Sequence, residues 1–351
     1  MQISTPEETA VCNLASLGLP SFVRPRLTPD AKSWDSYDFE GLMRTTRMLV
    51  RNINKVIDRT LYPVPEAEHS NLRHRPMSIG VQGLSDVFVR YGLGFDDAES
   101  CELNRRIFAS MYYAAVDESI TLAEEQGPYE TYDGSPASKG LLQYDLWDVK
   151  PHPMHDWAKL KRRLAENGMR NSLLIGLMPT ASTATILGNH ECFEPITSNL
   201  FTRRTLTGEH IQLNADLVLA LEAQGLWDDE MRSDLLRHRG SVQKIDRVSD
   251  DLKRIFRTAY EIPMRSVIDM SADRGAYVCQ GSSKNLFFPT ANPTVITAAL
   301  FHAWERGEKN GSYYVRTRVD AIEEPSSTVQ PLKRQRAASP PSMEVDDDCG
   351  A

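Results

Sequence analysis

The fold of this chain is decided by residues 171–184, which read Asn-Ser-Leu-Leu-Ile-Gly-Leu-Met-Pro-Thr-Ala-Ser-Thr-Ala. Residues 171–177 form an apolar run bounded by polar residues, which predicts a short buried strand. The hydroxyl-rich segment after it opens a short helix. Gly188 ends that helix, because glycine readily adopts the left-handed conformation found after a helix C-terminus. A buried strand that leads through a turn into a helix is typical of α/β proteins.

Helical and strand patterns alternate on both sides of this stretch, which favours the α/β class over the whole folded part. The helix predicted over 250–273 is expected to break at Pro263, because proline cannot continue the helical hydrogen-bond ladder. Other helices are predicted over 37–58, 96–125, 157–167, 214–224, 227–239 and 294–308. Further short strands are predicted within 11–17, 75–82 and 311–318.

Composition excludes several classes of protein. The chain has 351 residues, and 40 Lys and Arg against 48 Asp and Glu give a formal net charge of -8. General affinity for nucleic acid requires clustered positive charge and is not expected. The longest apolar stretch, 173–178, is far too short to cross a bilayer, and the first residues do not resemble a secretory signal. The five cysteines are scattered without a Cys-x-x-Cys pair. This predicts a cytoplasmic protein without a disulfide framework or metal site.

Residues 319–351 differ in composition from the rest. They carry four prolines and several serines but almost no large apolar side chains. Such a segment buries too little apolar area to offset the entropy lost on ordering. We therefore predict one folded domain over 1–318 and a disordered tail over 319–351.

The turn after the central strand is the first candidate site. Thr180, Ala181, Ser182 and Thr183 combine hydroxyl groups with the free N–H groups of a helix N-terminus, a combination that suits a phosphate. The alternative is an ordinary Ser/Thr cap, which is much commoner. The segment lacks the Gly-Lys-Ser/Thr ending of a Walker motif. Its sequence pattern alone favours the ordinary cap.

Two further candidates also have an ordinary interpretation. Tyr313 and Tyr314 are adjacent on a predicted strand, where neighbouring side chains normally point to opposite faces, so one would be in the core and one on the surface. A role for both phenols in carrying charge or a radical requires that the rings contact each other. Cys12 lies in an apolar segment, where a free cysteine is usually a small buried hydrophobic residue. A redox role would need a second thiol from elsewhere in the protein.

Several strings of this sequence, in one order, resemble the C-terminal half of the large catalytic subunit of class I ribonucleotide reductase of the eukaryotic type. The resemblance covers roughly residues 9–318. The strings are Val11-Cys-Asn-Leu-Ala-Ser-Leu, Arg51-Asn-Ile-Asn-Lys-Val-Ile-Asp, Tyr62-Pro-Val-Pro-Glu-Ala, His74-Arg-Pro-Met-Ser-Ile-Gly-Val-Gln-Gly-Leu, Glu125-Gln-Gly-Pro-Tyr-Glu-Thr-Tyr, Arg170-Asn-Ser-Leu-Leu-Ile, Met178-Pro-Thr-Ala-Ser-Thr-Ala, Glu194-Pro-Ile-Thr-Ser-Asn and Tyr313-Tyr-Val-Arg-Thr-Arg.

The resemblance implies a role for each candidate. Residues 180–183 would bind the diphosphate of a ribonucleoside diphosphate substrate. Tyr314 would receive a radical from the metal-containing small subunit, and Tyr313 would pass it inward. Cys12 would be one of two thiols oxidised to a disulfide during reduction of the ribose. Thioredoxin or glutaredoxin would supply reducing equivalents through a Cys pair in the tail. Only Cys349 is present there, so its thiol shuttle lacks a second sulfur.

The resemblance also implies what this chain lacks. The radical-bearing cysteine of the family, with its flanking Asn and Glu, precedes the string that contains Cys12. The ATP and dATP effector sites likewise precede it. We therefore predict half of a ten-stranded α/β barrel of the ribonucleotide reductase type, binding no cofactor of its own and inactive alone. The alternative is a non-catalytic binding module that docks the small subunit, or complements a full-length large subunit or a separate N-terminal half.

Overall fold

The computed structural model describes residues 4–205 and 208–318. The strands of these ranges are β1 (Leu14–Gly18), β2 (Ser78–Gln82), β3 (Leu200–Thr205), β4 (Gly208–Leu213), β5 (Leu286–Phe288) and β6 (Val315–Thr317). The helices are α1 (Ser33–Ser36), α2 (Phe39–Arg59), α3 (Pro65–His74), α4 (Leu84–Arg90), α5 (Ala98–Gln126), α6 (Gln143–Leu146), α7 (Trp157–Asn167), α8 (Ala181–Leu187), α9 (Ala215–Ala223), α10 (Asp229–Arg237), α11 (Asp250–Ile255), α12 (Met264–Gly275) and α13 (Pro293–Glu305).

Parallel pairing links five extended runs in the order of the chain. β1 pairs with β2 from Leu14 opposite Ser78, and β5 pairs with β6 in the same sense. Between these pairs, residues 173–177 bridge to β2 at Ile79 and to the segment before β5 at Ser282, again in parallel. Parallel runs require crossover connections, and helices supply them here. Five such runs are half the number needed for a ten-stranded barrel.

The third run lies unusually close to β2. Residues 173–177 accept backbone hydrogen bonds from Met77 and Ile79 at 2.9 Å, and all five residues of β2 are buried. A Cβ atom on Gly176 would collide with the Ser78 hydroxyl. Glycine is therefore needed at this position of the buried strand, because any side chain would push the two runs apart.

The helices bury the faces of these runs. α5 packs against α2, α7 and α12, and its buried residues recur along almost its whole length. The main apolar cluster joins them to β2 and to residues 174–177. A second, smaller cluster is formed around Leu217, Leu235 and Phe256, on α9, on α10 and directly after α11. No helix within the described ranges is long and apolar enough to cross a membrane.

The α/β class and most predicted elements are confirmed. The helix predicted over 250–273 is divided into α11 and α12, and α12 begins directly after Pro263, as proline chemistry requires. The hairpin of β3 and β4 was missed, because no short turn signal of the Asn-Gly kind joins its strands. The predicted disordered tail, 319–351, lies outside the described residues.

Candidate functional site

The three predicted groups do not share one end of the parallel runs. The turn at 180–183 follows the third run and therefore lies at the carboxyl end of the strands, where ligands of open parallel sheets commonly bind. Cys12 lies two residues before β1, and Tyr313 and Tyr314 directly precede β6. Within the described ranges, no hydrogen bond or ion pair joins one of these groups to another. The structure therefore does not bring them into direct contact.

The turn is not an ordinary side-chain cap, so that interpretation is wrong. The Thr180 side chain makes no capping bond to the first turn of α8. Its carbonyl oxygen instead accepts the N–H of Thr183 at 2.9 Å and the Thr183 hydroxyl at 2.7 Å. Ala181 has a φ of 26°, a conformation that is strained for a residue with a Cβ. Ser182 is exposed on the first turn. The N–H groups of Ala181 and Ser182 have no hydrogen-bond partner among the described residues and can therefore donate to an anion.

Cys192 holds this turn in place through hydrogen bonds to Thr180, and it was not predicted as a site residue. Its sulfur accepts the N–H of Thr180 at 3.3 Å, and its own N–H is donated to the Thr180 hydroxyl at 2.9 Å. The thiol also donates to the carbonyl of Met178 at 3.4 Å. These reciprocal bonds explain why Thr180 is not available as a cap. Twelve residues separate the two partners, so spacing alone provided no signal.

Cys12 and Cys192 differ in burial, and therefore in reactivity. Burial raises the pKa of the Cys192 thiol to about 11, against weaker opposing hydrogen bonds from Thr180. Cys12 is exposed, so its ordinary interpretation as a small buried hydrophobic residue is wrong. An exposed thiol can reach a reductant or a partner thiol, as a redox role requires.

We expect Cys12 to react rapidly with iodoacetamide in the folded protein, and Cys192 to react only after unfolding. The thiolate is the reactive form, and at pH 8 a thiol with a pKa of about 11 is ionised in only about one molecule in a thousand. Peptide mapping by mass spectrometry at successive times measures both rates. Equal labelling of the two cysteines without denaturant would contradict this expectation, and labelling in urea serves as the control.

The two tyrosines lie against each other. The centroids of the Tyr313 and Tyr314 rings are 4.3 Å apart with an interplanar angle of 59°, and each side chain is about half exposed, at 50% and 52%. The expectation of one core and one surface tyrosine is wrong, because both residues lie before β6, which begins at Val315. The hydrogen bond to Tyr314 raises the pKa of Tyr313. The Arg316 guanidinium lies 5.3 Å from the centroid of the Tyr314 ring.

A polar network lines the carboxyl ends of β1 and β2 near the turn. Asn189 donates to the Gln82 side chain at 3.2 Å, and Gln82 donates to the Ser16 hydroxyl at 2.9 Å. His190 follows Asn189 and bonds through its imidazole to the buried carboxylate of Asp86. No group of three His, Cys, Asp or Glu residues in the described part of the chain could hold a metal ion. His190 is therefore paired with a carboxylate in this structure.

Comparison with known proteins decides the family. Residues 1–314 match the family described as "Ribonucleotide reductase, barrel domain". The chain belongs to the ribonucleotide reductase family. The match includes four of the five parallel runs, together with Cys12, the 180–183 turn and both tyrosines, and it ends directly before β6.

Individual reductases agree with this assignment. The chain is similar to the ribonucleoside-diphosphate reductase large subunit of Arabidopsis thaliana, at 45% identity over 99% of this chain and 44% of that protein. The corresponding subunit of Caenorhabditis elegans is 47% identical over 92% of this chain and 40% of its own length. The structure of an Actinobacillus ureae class Id ribonucleotide reductase alpha subunit covers 90% of this chain and 51% of that chain, with 25% identity and a TM-score of 0.66.

The share of each relative that is covered bears directly on function. The chain spans less than half the length of the large subunits from Arabidopsis and Caenorhabditis that it matches. It corresponds to their C-terminal part, within the barrel domain of the reductase family. The resemblance to a partial reductase barrel is thereby confirmed.

Proposed function

We propose that this chain forms the part of a ribonucleoside-diphosphate reductase large subunit that binds the substrate diphosphate and admits the radical. The reaction replaces the 2′-hydroxyl of the ribose by hydrogen and gives a deoxyribonucleoside diphosphate. The contact between Tyr313 and Tyr314 carries this proposal, since two touching, half-exposed phenols have little value for packing. The supporting comparison is the reductase barrel family.

The tyrosine pair has the geometry needed to move a radical. A phenol is oxidised when it loses one electron and one proton, and a neighbouring phenol in ring contact can supply both to the oxidised one. Tyr314 would accept the oxidising equivalent from the small subunit, and Tyr313 would then pass it inward. Exposure of both rings suits transfer from a partner. Exposed apolar side chains on α13, among them Phe301 and Trp304, favour protein contact near this strand.

Cys12 would supply reducing equivalents. Loss of the 2′-hydroxyl as water consumes two electrons and two protons, and two thiols provide both when they are oxidised to one disulfide. The described ranges hold three other cysteines, at 101, 192 and 279. Cys279 is committed elsewhere, because its sulfur accepts the N–H groups of Leu174 and Ile175 at 3.1 Å. The second thiol would come from another part of the enzyme. Re-reduction would use thioredoxin or glutaredoxin. Cys349, the proposed tail thiol, lies outside the described residues.

The turn at 180–183 would bind the substrate diphosphate. It offers open N–H groups at the N-terminus of α8 and the exposed hydroxyl of Ser182, all of which can donate to phosphate oxygens. The bonds between Thr180 and Cys192 keep this turn in place before substrate arrives. Such preorganisation lowers the entropy lost on binding.

We expect the purified 351-residue chain to give no turnover with a small subunit, and to gain turnover when a large-subunit N-terminal half is added. The N-terminal half would carry the cysteine that takes the radical. Formation of labelled deoxyribonucleoside diphosphate measures the activity. Turnover without the added half would contradict the need for complementation. If the half binds and turnover is still absent, the chain is a non-catalytic module that docks partners.

A further inference from the structure

The turn between α13 and the tyrosine pair is bound to residues 278–284, the segment before β5, by three consecutive side chains. Glu308 pairs with Lys284, with the Lys284 Nζ and a Glu308 carboxylate oxygen 3.1 Å apart. Lys309 donates to the backbone carbonyl oxygens of Val278 and Gln280 at 2.5 and 3.2 Å. The turn is thus attached along the whole segment that leads into β5.

Asn310 adds the most directional of these contacts. Its side-chain oxygen accepts the N–H of Ser282 at 3.1 Å, and its side-chain nitrogen donates to the carbonyl of the same residue at 2.5 Å. A side-chain amide that bonds both backbone groups of one residue imitates a neighbouring strand. It therefore sets the register of the turn against the 278–284 segment before regular pairing with β6 begins.

The same segment continues to the tyrosines. The carbonyl of Lys284 accepts the N–H of Tyr313 at 2.6 Å, and Leu286 donates its N–H to the carbonyl of Tyr314 at 2.9 Å. Lys284 thus contacts the turn through its side chain and Tyr313 through its backbone. A shift of the turn along this segment would move both phenols.

The ion pair of Lys284 and Glu308 is buried, so each charge depends on the other for compensation. The side chains of Lys284 and Glu308 are 0% and 4% exposed. Burial lowers the pKa of Lys284 and of Arg274, and the positive charge of the buried Arg274 lowers the pKa of Lys284 further. The Glu308 carboxylate opposes this lowering for both cations. The buried Glu194 carboxylate is hydrogen-bonded to Asn285, which donates its backbone N–H at 2.6 Å and its side-chain amide at 3.0 Å. Glu308 is the only carboxylate in ion-pair contact with Lys284 among the described residues.

We propose that Lys284, Glu308, Lys309 and Asn310 form a support cluster that positions the Tyr313–Tyr314 pair for radical transfer. The functional part of this statement rests on the proposed function, whereas the positioning part concerns the geometry of the two rings. The cluster touches neither the radical nor the substrate. Its members are positioning residues, which act on the phenols through the strand register and the turn.

The test uses the full chain labelled with 13C at the tyrosine ring, with Tyr313 and Tyr314 signals assigned from Tyr313→Phe and Tyr314→Phe. We expect Tyr313 to titrate at higher pH than a free phenol in the unchanged chain, because the Tyr314 phenol beside it raises its pKa. In Glu308→Gln and Asn310→Ala we expect that titration to shift towards the ordinary pKa of tyrosine. Glu305→Gln, on the exposed end of α13, is the control and leaves the titration unchanged.

Turnover of the assembled enzyme supplies the second readout. Displacement of a reacting group by about 1 Å can reduce a rate about a hundredfold, so we expect kcat to fall by about that factor in Asn310→Ala while KM stays constant. KM is expected to stay constant because the 180–183 turn follows a different run. A merely structural role would leave the titration of Tyr313 in the folded variant unchanged, and that result would overturn the proposal.

A charge-free double variant keeps the test decisive if single changes at the ion pair prevent folding. Lys284→Met with Glu308→Leu replaces the pair by two apolar side chains of similar size, a change that buried ion pairs often tolerate. We expect the double variant to fold and to restore the Tyr313 titration. If titration responds to the cluster but Tyr313→Phe keeps full turnover, the relay is wrong and the positioning is right. If Tyr313→Phe abolishes turnover while Asn310→Ala changes neither readout, the support cluster is wrong.

Discussion

Tyr313→Phe and Tyr314→Phe are each expected to abolish turnover of an enzyme assembled from this chain, a large-subunit N-terminal half and a small subunit. Phenylalanine keeps the ring but lacks the O–H that loses a proton on oxidation, so the relay has no carrier at that position. We expect a loss of about a thousandfold or more, equivalent to about 4 kcal/mol in the activation free energy. Product formation under saturating substrate measures it.

Tyr260 provides a matched control for these variants. Its ring packs edge-on against Phe287 at 5.5 Å, next to the same pair of strands, but it does not contact the tyrosine pair. Tyr260→Phe removes one hydroxyl from the same region and should leave turnover within about twofold of the unchanged enzyme. Substantial turnover in Tyr313→Phe, together with normal binding of the small subunit, would exclude a radical path through this residue.

Asn54→Leu is expected to destabilise the fold by about 1–3 kcal/mol, because it removes the side-chain oxygen that accepts two hydrogen bonds from the buried Arg75 guanidinium. The Asn54 side-chain oxygen accepts two hydrogen bonds from Arg75, at 3.1 and 3.0 Å, and one from Asn171 at 3.2 Å. Arg75 is only 3% exposed. Its remaining side-chain contacts are the Asn54 carbonyl and Asp58.

Urea unfolding followed by circular dichroism measures this loss. Lys55→Gln, on the exposed side of α2 and next to Asn54, is the control, and we expect it to change the free energy of unfolding by less than about 0.5 kcal/mol. Asn54→Asp keeps an acceptor oxygen for Arg75 and should retain more stability than Asn54→Leu. A loss below about 1 kcal/mol in Asn54→Leu would show that water replaces the missing acceptor for Arg75.

The same network explains why certain strings stood out in the sequence. Asn54 and Asp58 belong to the string that begins at Arg51, Arg75 to the one that begins at His74, and Asn171 to the one that begins at Arg170. The resemblance marked these strings without explaining them. In the structure, Asn171 also donates to the carbonyl of Arg75 at 3.1 Å, and its own N–H is donated to the Ser119 hydroxyl at 3.0 Å. The strings meet at the entry to β2 and the third run.

The candidate residues were identified from the sequence, but their local environments were not. Periodicity and turn chemistry located α2, α5 and the turn after residues 171–177, because these signals act over a few residues. Whether Thr180 caps its helix depended on Cys192, and the nature of Cys12 depended on its exposure before β1. For both, the ordinary interpretation was the commoner one and was wrong. How often a Ser/Thr cap or a buried free cysteine occurs in proteins could not reveal contacts that only this fold creates.

By itself the sequence determined the α/β alternation, the helices and the reductase resemblance, since each depends on local pattern or on strings in a fixed order. Tertiary structure alone decided the ring contact of Tyr313 and Tyr314, the Asn54 network and the buried pair of Lys284 and Glu308. The partners in these contacts belong to elements far apart in the chain, or to a segment where strand alternation has not begun. Their energies depend on burial and on opposing charge, which exist only once the runs and helices have packed.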